Sequence, residues 1–199
     1  MARSERYVLG LTGMPGSGKS TARKILEDLG CHALDADALA HEVLGLPETL
    51  AKIATRFGEE VIKEGKLDRP AMAQRVFKDR KMLETLNSIV HPEVRRLARE
   101  RIESAPAESI VVYDVPLLFE TGLEKDLDGT LAIASDFPHR LERVRERGWS
   151  EEQLKDRDQH HYPDKAERAD FVVDNNSDLQ ALRGQLEEVL QQIKKEVQK

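Results

Sequence analysis

The segment Gly13-Met14-Pro15-Gly16-Ser17-Gly18-Lys19-Ser20-Thr21 constrains the fold of this chain more than any other feature. It fits the spacing G-x-x-x-x-G-K-[ST], and its flanks decide what that spacing means. Upstream, Tyr7-Val8-Leu9-Gly10-Leu11-Thr12 is a short apolar run of the kind that forms a buried strand. Downstream, Ile25, Leu26 and Leu29 fall on one helical stripe, and Gly30 follows as a stop signal. A strand, a glycine-rich turn and a helix in that order make a phosphate-cradling P-loop. Its glycines let successive backbone N–H groups converge on one anion, and the new helix adds the positive end of its dipole. The whole segment then wraps the phosphates of a nucleoside triphosphate. Lys19 reaches the β- and γ-phosphates, and the Ser20 hydroxyl joins the shell of a Mg2+ ion.

The rest of the composition narrows the setting. A chain of 199 residues suits one domain carrying helical insertions. No apolar stretch approaches the roughly 20 residues of a membrane span. Met1-Ala2-Arg3-Ser4-Glu5-Arg6 leads straight into the first apolar run, so no signal peptide is expected. The single cysteine, Cys31, excludes internal disulfides and reads as a buried, inert thiol. Together these features point to the cytoplasm. A formal net charge of −6 argues against a nucleic-acid surface. A triphosphate ligand still needs positive charge gathered locally, and the sequence offers a place for it below.

Short apolar runs alternate with helical patterns: Tyr7–Thr12, His32–Leu34, Ile110–Asp114, Leu131–Ala134 and Phe171–Asp174. Each is nearly continuous in apolar residues, as strands covered on both faces are. The pattern predicts an α/β, three-layer P-loop domain with a mainly parallel five-stranded sheet. Between the second and third runs, residues 38–108 carry only helical signals, punctuated by Gly65 and Pro70. That is far more chain than a plain crossover needs, so a helical insertion is expected there. A second insertion, 136–165, lies between the fourth and fifth runs. Asp178–Val197 carries a leucine-rich stripe and reads as a helix docked on the sheet.

Three constellations carry chemistry. Asp35-Ala36-Asp37 closes the second run just before a helix. A carboxylate there can orient an attacking hydroxyl and take its proton, or Asp37 can simply cap the helix. Asp114 ends the third run, where a Walker-B-type carboxylate holds Mg2+, often through water. Pro116 then ends the strand, and by pattern Leu117, Leu118 and Phe119 belong to the core. Arg140, Arg143 and Arg147 share one helical face in the second insertion. Either they form a mobile lid that closes on the phosphates, or they are a solvated face balanced by Glu142 and Glu146. His91-Pro92-Glu93 opens a helix with proline at its first position. His160-His161 lacks partners at ligand spacing, so no metal site is expected there.

These pieces together resemble the dephospho-CoA kinase family from Val8 to about Asn176. The P-loop is shared by many kinases. Gly65-Lys66-Leu67-Asp68-Arg69, Arg143-Val144-Arg145-Glu146-Arg147 and Ala169-Asp170-Phe171-Val172-Val173-Asp174-Asn175 match as well, and the blocks Asp35-Ala36-Asp37, His91-Pro92 and Pro116-Leu117-Leu118-Phe119-Glu120 in this order are specific. The resemblance implies ATP with Mg2+ and a small-molecule acceptor, dephospho-CoA, phosphorylated on its ribose 3′-hydroxyl to give coenzyme A and ADP. It implies that Lys19 and the loop amides bind ATP and that Asp37 engages the hydroxyl. Arg143 and Arg147 would be lid arginines, and Asn175 would lie beside the adenine. The helical insertion, with His91 and Pro92, would bind the acceptor, with Leu117 on the same side. The chain departs from the family at Met14-Pro15, usually Gly-Ile, and within Gln159–Lys165. Proline at 15 is reminiscent of adenylate-kinase-like loops, which keeps a nucleoside-monophosphate or other small-molecule kinase in view. A non-catalytic nucleotide switch is a third reading, although no guanine-reading Asn-Lys-x-Asp segment is present. Oligomeric state is left open.

Overall fold

The computed structural model describes residues 6–76 and 79–197. The leader expectation rests on residues 1–5, outside the described residues. In chain order the elements are β1 (Tyr7–Gly13), α1 (Lys19–Asp28), β2 (His32–Asp35), α2 (Ala36–Val43), α3 (Pro47–Phe57), β3 (Ile62–Lys63), β4 (Lys66–Leu67) and α4 (Arg69–Val76). They continue with α5 (Arg80–Ser104), β5 (Ile110–Asp114), β6 (Gly129–Ala134), α6 (Phe137–Arg145), α7 (Glu151–Asp158), α8 (Lys165–Arg168), β7 (Phe171–Asp174) and α9 (Leu179–Val197). Residues 35–104 cluster into one compact unit, and the stretches on either side of them into another.

The sheet-bearing unit has strand order β2-β5-β1-β6-β7. β1 pairs in parallel with β5 and β6, and β6 with β7. The apolar runs become strands for a packing reason. Leu9, Leu11 and Leu131 are wholly excluded from water, and α1 and α9 bring Leu26, Leu182, Leu186 and Ile193 onto them. Truncating a leucine in such a core generally costs about 2–5 kcal/mol. Edge strands β2 and β7 are only partly buried, because among the described residues nothing pairs with their outer side.

Within residues 35–104, α3, α4 and the helical turn Glu59–Val61 build a separate core from Ile53, Phe57, Val61 and Met72. Three local outcomes differ from expectation. First, the cap of α2 is Asp35 rather than Asp37. The Asp35 carboxylate accepts the Asp37 and Ala38 amides at 2.9 and 3.1 Å, which leaves Asp37 exposed in the first helical turn. Second, the stretch read as purely helical contains the β3–β4 hairpin. Its turn residues Glu64 and Gly65 have φ of 50° and 71°, the left-handed pair that a two-residue hairpin turn requires. Third, His91-Pro92 does not open a helix but lies inside α5. Proline forfeits only the bond to the Ser88 carbonyl, and the turns on both sides carry the helix through.

The cap assignment gives a stability test. Asp35→Ala is expected to destabilise the chain by about 1 kcal/mol in urea unfolding, as cap losses do. Asp37→Ala should stay within about 0.5 kcal/mol. Equal losses would mean that the two carboxylates share the capping role.

Candidate active site

The P-loop leaves the carboxyl end of β1, the strand whose neighbours are β5 on one side and β6 on the other. Open α/β sheets keep their ligands at such a switch point. The Ser17 amide donates to the Met14 carbonyl at 3.0 Å, and the Thr21 and Ala22 amides both donate to Gly18 O at 3.0 Å, so α1 begins at once. Gly16 and Gly18 have φ of 79° and 95°. A side chain on Gly18 would meet the Asn175 amide, and one on Gly16 would lie 2.9 Å from both the Arg140 carbonyl and Val144 Cγ1. Conformation and space therefore both demand glycine.

Lys19 stands at the start of α1 with its Nζ on Asp114 Oδ1, and Arg23 Nη1 lies 3.6 Å from Asp114 Oδ2. Asp114 is 4% exposed at the end of β5, so one buried carboxylate is shared by two cations. This is the local positive excess that an acidic chain needs to receive phosphates. Arg23 escaped the sequence reading. Its signal was the spacing of four residues from Lys19, which puts both on one helical face.

Two of the expected lid arginines, Arg140 and Arg143, lie on α6 against the P-loop. Arg140 is 7% exposed. It makes a two-pronged pair with Asp158 at 2.8 and 2.9 Å, and its Nη1 also donates to the Pro15 carbonyl at 3.0 Å. Arg143 Nη1 donates to Ser135 Oγ at 2.9 Å and lies 3.5 Å from the carbonyls of Gly16 and Ser17, while Nη2 donates to Asn175 O at 2.5 Å. Asn175 is buried, and its side-chain amide donates to Ser17 O at 2.7 Å. The carbonyl side of the P-loop is thus held by two guanidiniums and an amide. Arg147 is different: α6 ends at Arg145, and Arg147 is exposed beyond it. The equal-face expectation failed because helical spacing says nothing of where a helix ends or what it packs on. Neither Glu142 nor Glu146 balances the buried guanidinium; Asp158 does.

The other expected residues separate by environment. Ser20 and Thr21 are exposed on the first turn of α1, whereas Ser17 is buried, so its part in the loop is a backbone one. Leu117 is 38% exposed while Leu118 and Phe119 are buried, so the loop after Pro116 turns one leucine outward rather than sending all three into the core. Asp37, His91 and Pro92 belong to the 35–104 unit and are exposed within it. Burial, then the charge of Lys165, pulls the His161 imidazole below its usual range. Among the described residues no group of three or more His, Cys, Asp or Glu side chains could hold a metal. Cys31 is half-buried rather than buried as expected, and that burial pushes its thiol up to about 11. Cys31 borders a cavity of about 640 Å3 with Tyr7, Leu190 and Ile193, and no P-loop residue lines it. The sequence reading also missed the role of Lys165, almost wholly buried and bonded to Glu120.

A family model described as dephospho-CoA kinase matches residues 7–181. A Deinococcus radiodurans protein named dephospho-CoA kinase is 43% identical over 190 residues, spanning 93% of this chain and 91% of its own. A Thermus thermophilus protein of the same name is 39% identical, spanning 94% of this chain and 91% of its own. A crystal structure from Thermus thermophilus superposes with a TM-score of 0.81 at 38% identity, covering 94% of this chain and 97% of that one. A shikimate kinase from Bacteroides thetaiotaomicron, 12% identical with a TM-score of 0.53 over 94% of this chain and 98% of its own, shares the fold alone. A likeness confined to the P-loop would have stopped within the first strand and helix. This one runs through the 35–104 unit and on past Asn175, and the chain belongs to the dephospho-CoA kinase family.

Proposed function

We propose that this chain transfers the γ-phosphoryl group of ATP to the 3′-hydroxyl of dephospho-CoA, releasing ADP and coenzyme A, the last step of coenzyme A synthesis. The observation that carries this reading is the family match across both compact units, because the P-loop alone is common to kinases of many acceptors.

The chemistry follows from the residues. Phosphoryl transfer asks little covalent work of a protein; positioning and charge suffice. The loop amides and Lys19 take the β- and γ-phosphates, and Arg23 remains beside Asp114 when Lys19 turns toward them. Arg140, Arg143 and Asn175 keep the loop in shape from its carbonyl side. The family resemblance gives Asp37 the acceptor hydroxyl, Arg147 the lid role, and His91, Pro92 and Leu117 the acceptor side. Mg2+, when bound with ATP, would supply charge neutralisation at the phosphates, and the Ser20 hydroxyl and the Asp114 carboxylate are the hard oxygen donors that would hold it. No helix among the described residues is long and apolar enough to cross a membrane. We place the enzyme in the cytoplasm, acting on small molecules and without a nucleic-acid partner.

Coupled measurement of ADP release with dephospho-CoA, AMP, CMP and UMP tests the proposal. Turnover is expected with dephospho-CoA only. Activity confined to a monophosphate would transfer the chain to the other kinase reading, the one that Pro15 suggests. ATP binding without transfer to any acceptor would favour the nucleotide switch.

A further inference from the structure

Lys165 is the most deeply buried charged residue among the described residues, at 2% exposure. Its ammonium has three hydrogens to give. Glu120 Oε1 and Oε2 lie 2.6 and 2.8 Å away, the Pro116 carbonyl 2.9 Å and Thr12 Oγ1 3.5 Å. Thr12 Oγ1 in turn donates to the same Pro116 carbonyl at 3.1 Å, and Glu120 also accepts the Tyr162 amide at 2.6 Å. Three segments meet on this one nitrogen. Thr12 immediately precedes the first glycine of the P-loop. Pro116 and Glu120 lie on the loop that follows Asp114. Lys165 itself begins α8.

A buried ion pair is a poor device for stability, since well-packed apolar residues do as well or better. What it does supply is fixed geometry. β1 and β5 are neighbours in the sheet, and Lys19 and Asp114 meet just beyond their ends. Pro116 O and Thr12 Oγ1 are the points at which Lys165 holds those two ends. Burial pulls the Lys165 ammonium below its usual range against the opposing pull of Glu120, and the charge of Lys19 lowers it further. Burial works against the Glu120 carboxylate, yet the bonds from Lys165 and the Tyr162 amide hold it below its usual range. Both Glu120 oxygens face the Lys165 nitrogen, at 2.6 and 2.8 Å, and Lys165 stands close enough to Lys19 to feel its charge.

We propose that Lys165 is a positioning residue for phosphoryl transfer: its ammonium, seated on Glu120, fixes the β5 end that carries Asp114 against the β1 end that opens the P-loop, and so aims Lys19. It touches no substrate. The proposal rests on the kinase reading above.

The test uses the full chain and four proteins: wild type, Lys165→Met, the double variant Glu120→Leu with Lys165→Met, and Thr12→Val. Lys165→Met strands a carboxylate and is expected to lower Tm. The double variant leaves no unpaired charge and should regain most of that Tm. Its kcat with both substrates saturating should nevertheless stay about tenfold or more below wild type, with KM for ATP changed less than about threefold. Recovery of stability without recovery of turnover is what a purely structural pair would not give. If the double variant recovers kcat as well, the proposal is overturned. If it does not fold, Thr12→Val decides, since it removes the oxygen nearest the P-loop while keeping shape and charge. A kcat lowered about threefold or more at nearly unchanged Tm supports the role, and an unchanged kcat overturns it. A wild type that transfers to no acceptor sinks the kinase reading and this one together. An active wild type beside an equally active double variant sinks this one alone.

Discussion

Replacing Lys19 by alanine is expected to leave a folded chain whose kcat is about 10^3-fold or more below wild type. The charge that builds on the transferring phosphoryl group has to be met in a site prepared beforehand, and losing one such donor typically costs about 10^2–10^3 in rate. Lys19 is also the charge that reaches the γ-phosphate, so its loss falls at or above the top of that range. Folding should survive. The lysine side chain is 17% exposed, and Arg23 stays beside Asp114, so the buried carboxylate keeps a counter-charge. Steady-state turnover measured alongside thermal unfolding checks both halves. Arginine is not an equivalent replacement, because its planar fork is aimed differently from a compact ammonium. Retention of more than about a tenth of the activity in Lys19→Ala would show that the P-loop is not the phosphate site.

Asp37→Asn is the second large effect. The exchange keeps shape and removes a charge, and in solution kcat should fall about 10^2–10^4-fold, the usual contribution of a positioned acid or base. Affinity for ADP, measured by calorimetry, should change less than about threefold, since the cradle is untouched. Stability offers no escape from this test. Asp35 holds the helix cap, so Asp37 contributes only the favourable placement of an exposed negative charge in the first turn, about 0.3–0.5 kcal/mol. A near-normal kcat would reduce Asp37 to that role and leave the acceptor hydroxyl without its assigned partner.

Much of the sheet could be read in advance because its strands are nearly continuous apolar runs, and only burial on two faces explains such runs. The P-loop was legible for a related reason: its glycines and lysine are required locally. What escaped was set by long-range packing or by very short elements. The β3–β4 hairpin has two residues per strand, too few for any alternation to register. Pro92 reads as a helix start, yet α5 runs through it, because a long helix loses only one bond there. The arginine face looked uniform because helical spacing is blind to depth. Arg140 finds Asp158 and the P-loop, while Arg147 lies past the last turn. Lys165 is the clearest case: its partners are 45 and 153 residues away, and no local pattern announces them. Asn175 is a second case, since its side-chain amide reaches the Ser17 carbonyl 158 residues away.

The grip of Arg140, Arg143 and Asn175 on the backs of Pro15, Gly16 and Ser17 has a kinetic corollary. A nucleotide arriving at this loop meets amides whose aim was settled during folding, so capture of the triphosphate needs no induced fit there. Its association rate is then governed by diffusion and by the attraction of Lys19 and Arg23, and should slow as added salt screens them.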